Sequence, residues 1–258
     1  MKSIWTGAIG FGLVNIPIKM YSAVQASEID LDMLDKKDHS NIKFKRVNAN
    51  TGKEVSWENI VRGYKLDEKY VILDDKDFEN ASPEKTKIIE IKEFVDEDEI
   101  DSIYFEMPYY LEPDKSGVKA YQLLKAALKK SGKVGIGSFV LRSKESLCLI
   151  KAMDNLLVVN RIRFHEEIKP PSELKIPAST PSPAEVKMAI SLINQLTGDF
   201  DISKYKDSYT ALLMKAIKAK AKGGKKVATP TLKVAHSASK DLMEQLKASL
   251  GKKTKKAS

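Results

Sequence analysis

An acid, one spacer and a lysine stand together at Glu90-Ile91-Lys92. On a strand, this spacing serves some metal-dependent nucleases, whose carboxylates hold a divalent cation that activates water. Here the surrounding residues alternate. Ile89, Ile91 and Phe94 sit among Lys87, Glu90, Lys92 and Glu93. Period-two alternation puts Glu90 and Lys92 on the solvent face, so an ordinary solvated strand is the stronger reading. His39, His165 and His236 lie far apart and share no metal-ligand spacing. Cys148 is the single cysteine; inside Leu147-Cys148-Leu149-Ile150 it reads as a small buried hydrophobe. Glycines 7, 10 and 12 have the wrong spacing for a dinucleotide fingerprint, and no lysine with Ser or Thr follows them. They fit bends in a strand better. No nucleophile pattern stands out, and there is no Lys-x-Asp-Gly of the kind that carries adenylate in DNA ligases. The sequence predicts no catalytic residue, no metal site and no cofactor.

Positive charge is the property that does recur. Lys43, Lys45, Arg46 and Lys53 lie on a predicted hairpin, with Lys36, Lys37, Arg62 and Lys65 flanking it. Cations on a curved ribbon can neutralise phosphates and release counterions, which gives affinity without reading bases. Asp30, Asp32, Asp35, Asp38, Glu54 and Glu58 are interspersed, and a mixed charged surface is also normal for a soluble domain. The residues alone leave both readings open.

The charge of the whole chain sharpens the question. The 258 residues carry a net +9. From Lys204 to Ser258 there are fifteen lysines against three acids, hence +12, which leaves −3 for residues 1–203. A near-neutral body with a basic tail points to a polyanionic partner, nucleic acid before an anionic membrane. No apolar run reaches the roughly 18 residues of a membrane span. The apolar stretch Gly7 to Ile18 is interrupted by Asn15 and Pro17, which argues against a secretory signal. One cysteine fits a reducing cytoplasm. The expectation is a cytoplasmic, nucleoid-associated protein without a membrane partner.

These groups must be positioned by elements. Ile4 to Ala23 reads as bent strands. Ile42, Phe44 and Arg46 oppose Lys43, Lys45 and Val47 across a strand, and Asn48-Ala49-Asn50-Thr51-Gly52 makes the hairpin turn. Tyr70 to Leu73 is a short strand, and Asp74-Asp75 caps a brief helical turn through Phe78. Strands follow over 85–94 and, broken by Pro108, over 103–111. Asp114-Lys115-Ser116-Gly117 opens a helix with Tyr121, Leu124, Ala127 and Leu128 on its inner face, ended by Ser131-Gly132. Three more strands run over 134–142, 146–152 and 156–164, with Met153-Asp154-Asn155 turning between the last two. Many strands and one long helix predict a mainly β, α+β fold with a barrel core. Prolines 170, 171, 177, 181 and 183 mark a boundary. Helices follow from Ser182 to Leu196 and over 208–222. Residues 225–238 read as a flexible linker. Asp241 to Leu250 is a short amphipathic helix, marginal alone.

Several of these stretches resemble prokaryotic Ku. They are Ile4-Trp5-Thr6-Gly7-Ala8-Ile9 with Phe11-Gly12-Leu13-Val14-Asn15-Ile16-Pro17-Ile18-Lys19-Met20-Tyr21, Ile60-Val61-Arg62-Gly63-Tyr64, Tyr109-Tyr110-Leu111-Glu112-Pro113-Asp114-Lys115 with Lys119-Ala120-Tyr121-Gln122-Leu123-Leu124, and the closing 241–250. They run in order along nearly the whole chain. The resemblance implies a barrel core over 1–180 with a DNA-encircling bridge inserted at about 30–70. It implies a helical arm over 181–224 that helps lock a homodimer, and a basic region over 225–258 carrying a docking helix at 240–250. Two copies would close a ring on double-stranded DNA ends. Lys36, Lys37, Lys43, Lys45, Arg46, Lys53, Arg62 and Lys65 would then face DNA. Leu242, Met243, Leu246 and Leu250 would dock a multifunctional ATP-dependent DNA ligase. Many relatives place cysteines near the hairpin that suggest zinc; residues 47–52 have none, so no structural zinc is expected here. Lys252, Lys253, Lys255 and Lys256 would add modest, salt-sensitive affinity. The alternative is a basic nucleoid-type protein that binds intact duplex without end preference.

Overall fold

The computed structural model describes residues 1–25, 27–81, 87–141, 144–223 and 242–251. The chain groups into two units, Met1–Ala26 with Leu31–Pro170, and Ser27–Asp30 with Pro171 onward.

The first unit is built on strands β1 (Trp5–Phe11) and β2 (Val14–Ser22). An excursion follows, carrying a ribbon of β3 (Arg62–Leu66) and β4 (Lys69–Leu73) and then helix α1 (Asp75–Ala81). The chain returns through β5 (Ile88–Asp96) and β6 (Phe105–Pro113) to helix α2 (Val118–Ser131). Strands β7 (Lys133–Leu141), β8 (Lys144–Met153) and β9 (Leu156–Ile162) complete it. Seven strands close a barrel in the order β1-β2-β6-β9-β8-β7-β5; β3 and β4 form a separate sheet. All barrel pairings are antiparallel except β1 with β5, which is parallel. The predicted barrel with a helix on it is the observed architecture.

Alternation explains the interior. Ile16, Ile18 and Met20 of β2, Ile89 and Ile91 of β5, Tyr109 and Leu111 of β6, and Leu157 and Val159 of β9 all point inward and are buried. Strand β8 breaks the pattern because both of its faces are covered. Cys148 and Ile150 face the main core, whereas Leu149 joins Val134 and Ile162 in a second cluster, against which Ile100, Tyr104 and Phe105 pack. Cys148 has no exposed surface, and burial pushes its thiol up to about 12. It stays a protonated hydrophobe at neutral pH.

Helix α2 packs Tyr121, Leu124 and Leu128 into the main core. The Tyr121 hydroxyl donates to the Leu111 carbonyl at 2.7 Å and accepts from the Leu157 amide at 2.7 Å. It ties the helix to β6 and β9, and each bond in this buried setting satisfies a polar group that would otherwise be costly. Gly132, at φ 70°, ends the helix in the left-handed conformation. Two other glycines set how closely strands approach. A Cβ on Gly7 would lie 2.3 Å from the Lys87 carbonyl oxygen, and one on Gly137 would lie 2.2 Å from that of Glu90. Strand β5 is therefore held between two bare backbone positions.

The second unit contains helices α3 (Pro183–Leu196), α4 (Ser208–Ala221) and α5 (Leu242–Gly251). Helix α3 begins with the expected cap. Ser182 Oγ accepts from the Glu185 amide at 3.3 Å, and Glu185 Oε2 accepts from the Ser182 amide at 2.6 Å. Helix α5 lies against α3. The linker expected at 225–238 and the four terminal lysines fall outside the described residues.

Candidate nucleic-acid interface

The eight predicted cations all lie on the excursion between β2 and β5, and all are exposed. The excursion is held together locally rather than by a core. Lys36 and Lys37 sit in a turn. Asp35 accepts from the Lys37 amide at 2.7 Å, and Asp38 accepts from the Ser40 amide at 3.0 Å and its hydroxyl at 2.7 Å. The Ser40 amide and then its hydroxyl hold the Asp38 carboxyl below the usual carboxylate range.

The hairpin expected at 42–56 is only partly formed. The turn is present: Gly52 is at φ 67°, and Asn48 Oδ1 accepts from the Asn50 and Thr51 amides at 3.0 Å each. The flanking residues make isolated bridges, Val47 to Glu54 and Leu34 to Asn41, instead of a ladder. The alternation at 42–47 has no core to face, so nothing rewards a continuous strand there. The regular ribbon lies further on. In β3 and β4, Tyr64 opposes Val71 and Lys65 opposes Tyr70. Every residue of this ribbon except Leu73 is exposed.

The cations fall into two groups. Lys45 pairs with Glu54 at 2.7 Å, and Arg62 pairs with Asp75 at 2.9 Å. Arg62 also lies over the Phe78 ring at 3.9 Å, and Arg46 lies over Trp57 at 4.6 Å. These three are anchored. The side chains of Lys36, Lys37, Lys43, Lys53 and Lys65 make no ion pair among the described residues, and they present charge directly to solvent. Sequence reasoning missed the aromatic platforms. Trp57 and Phe78 stand in strongly charged text, and that was the available signal. It also passed over Lys69, which sits on the ribbon opposite Leu66.

The other motifs receive plain roles. Glu90 and Lys92 are exposed on β5. Among the described residues there is no cluster of three or more His, Cys, Asp or Glu side chains able to hold a metal. His165 meets the Tyr104 hydroxyl at 3.1 Å near the surface. Leu242, Met243, Leu246 and Leu250 lie within the range of α5. Leu246 is half-buried; the side chains of Leu242, Met243 and Leu250 lie outside the described residues. No helix among the described residues is long and apolar enough to cross a membrane.

The fold defines a β-barrel protein with an exposed, locally braced excursion, in which residues 36–65 carry eight cations against three acids. Residues 10–188 match the family model described as the Ku70/Ku80 beta-barrel domain. A protein of Coxiella burnetii named non-homologous end joining protein Ku is 37% identical over 98% of this chain and 96% of its own length. Proteins of the same name from Bacillus subtilis and Archaeoglobus fulgidus are each 37% identical over 97% of the chain, covering 82% and 98% of their own lengths. The chain belongs to the Ku family.

Proposed function

We propose that this chain binds the ends of double-stranded DNA without sequence preference, as a homodimeric ring in break repair by non-homologous end joining. Its role is non-catalytic. The observation that carries this reading is the placement of the cations. All eight stand on one excursion of a Ku-type barrel, and five of them make no ion pair among the described residues. Such an excursion suits a bridge lined with phosphate contacts. A closed ring enters duplex only where it ends, slides inward and shields the end from nucleases. No nucleotide or metal is needed for loading.

In this proposal residues 181–224 lock the dimer about a two-fold axis. Val186, Ile190 and Ile193 leave an exposed apolar stripe along α3, which supports that role. Residues 225–258 are a basic extension, and its segment 240–250, with Leu242, Met243, Leu246 and Leu250, docks an ATP-dependent ligase. The protein would act in the cytoplasm, on the nucleoid. Competition by gel shift tests the end preference. Linear duplex should displace a labelled linear probe, and covalently closed circles of equal mass should not. Equal competition would overturn the ring.

A further inference from the structure

Helix α2, which packs on the barrel's core, also bears an exposed face of unusual composition. From Lys115 to Lys133 there are six lysines and no acid. One wall of a groove of about 470 Å³ is formed by Leu123, Leu124, Ala127 and Leu128, and the other by Phe11 and Phe94. The two aromatic rings meet edge to face at 6.4 Å. Leu123 is 66% exposed and Phe94 45%, so large apolar surfaces remain in water. On a helix, positions 119, 123, 127 and 130 share one stripe. Lys119 and Lys130 therefore bracket Leu123 and Ala127. Neither lysine makes an ion pair among the described residues. On the strand side Asp96 is already neutralised by Lys133 at 2.6 Å.

We propose that this groove docks an acidic amphipathic segment of a partner protein, whose apolar side chains enter between α2 and the Phe11–Phe94 pair while its carboxylates meet Lys119 and Lys130. Charge complementarity selects the sign of the partner. The apolar walls select a peptide over a nucleic acid, because a phosphate backbone has nothing to place between Leu123 and Phe94. Burial of one leucine-sized group is worth about 1.5–3 kcal/mol, which corresponds to about tenfold or more in affinity. The groove shares no residue with the excursion at 31–81, so its variants leave the eight cations there unchanged.

The test uses the full-length chain and a fluorescein-labelled helical peptide of 14 residues, with leucines at i and i+4 positions and glutamates elsewhere. Anisotropy should report saturable binding at physiological salt. Leu123→Glu should weaken it about tenfold or more. Ala127→Glu, on the same exposed stripe, should do likewise, and thermal melts of both variants should match the parent. Lys119→Glu with Lys130→Glu should weaken binding and reduce its salt dependence, and a probe with lysine in place of glutamate should not bind. Failure of the acidic probe to bind, or unchanged affinity for Leu123→Glu and Ala127→Glu, would overturn the proposal. So would a lysine double variant that loses duplex affinity but keeps the peptide, since α2 would then be a phosphate contact.

Discussion

The barrel and the excursion at 31–81 draw on the same kinds of residue and use them in opposite ways. In the barrel, isoleucines 9, 16, 18 and 89 are buried almost completely and each strand's register follows from which face they occupy. In the excursion, Phe44, Trp57, Tyr64 and Tyr70 are each more than half exposed. Their partners there are mostly local: an arginine over a ring, an Asx turn, a cross-strand neighbour. An isolated two-stranded ribbon is at best marginally stable in water. The contrast teaches that the barrel's shape is dictated by its own core, whereas the excursion is held by local contacts and leaves its large side chains in water.

The largest effect expected from this contrast is on stability. Leu157→Ala, at a position with no exposed surface, should cost about 2–5 kcal/mol in urea unfolding. Leu66→Ala on the ribbon should stay within about 0.5 kcal/mol. A comparable loss at Leu66 would mean that the excursion hides a core of its own. Tyr121→Phe comes next. It leaves the Leu157 amide and Leu111 carbonyl without their shared partner, and a loss of about 1–3 kcal/mol is expected in the same assay.

The sequence made the barrel legible because alternation and burial agree there. The strands at 134–142, 146–152 and 156–164, the helix after Asp114 and the Ser182 cap all follow from local pattern. The excursion was less legible for the same reason. Alternation at 42–47 looked like a strand, but without a core to face it makes only a bridge at Val47. The ribbon at 62–73 was half missed, since Arg62-Gly63-Tyr64 gives little strand signal until Tyr70 and Val71 are placed opposite. The cations were legible as a group. Their division into anchored and free was not, because an ion pair such as Arg62 with Asp75 depends on folding across α1.

That division gives the next prediction. Lys43→Ala with Lys53→Ala removes two charges that make no ion pair among the described residues. It should weaken duplex binding across all sequences and lower the slope of log affinity against log salt by about 2. Lys45→Ala with Arg62→Ala removes cations already engaged by Glu54 and Asp75, so the slope should change less. Equal slopes for the two pairs would show that the anchored cations release their acids on binding.

The smallest effect concerns pH. The Asp38 carboxyl is held below its ordinary value, so its hold on the turn at 35–40 is fully present above the usual carboxylate range. It is lost as pH falls through the lowered value. The Ser40 amide signal should therefore titrate below that range in NMR, and Asp38→Asn should abolish the transition. Titration at an ordinary carboxylate value would mean that the turn is not held by Asp38.

Topology is the most direct test. The protein is loaded on a linear duplex long enough to be joined end to end, the ends are ligated into a covalent circle, and the complex is challenged with high salt. A closed ring remains on the circle and leaves once a restriction cut reopens it. Release from the sealed circle as fast as from the linear duplex would contradict encirclement.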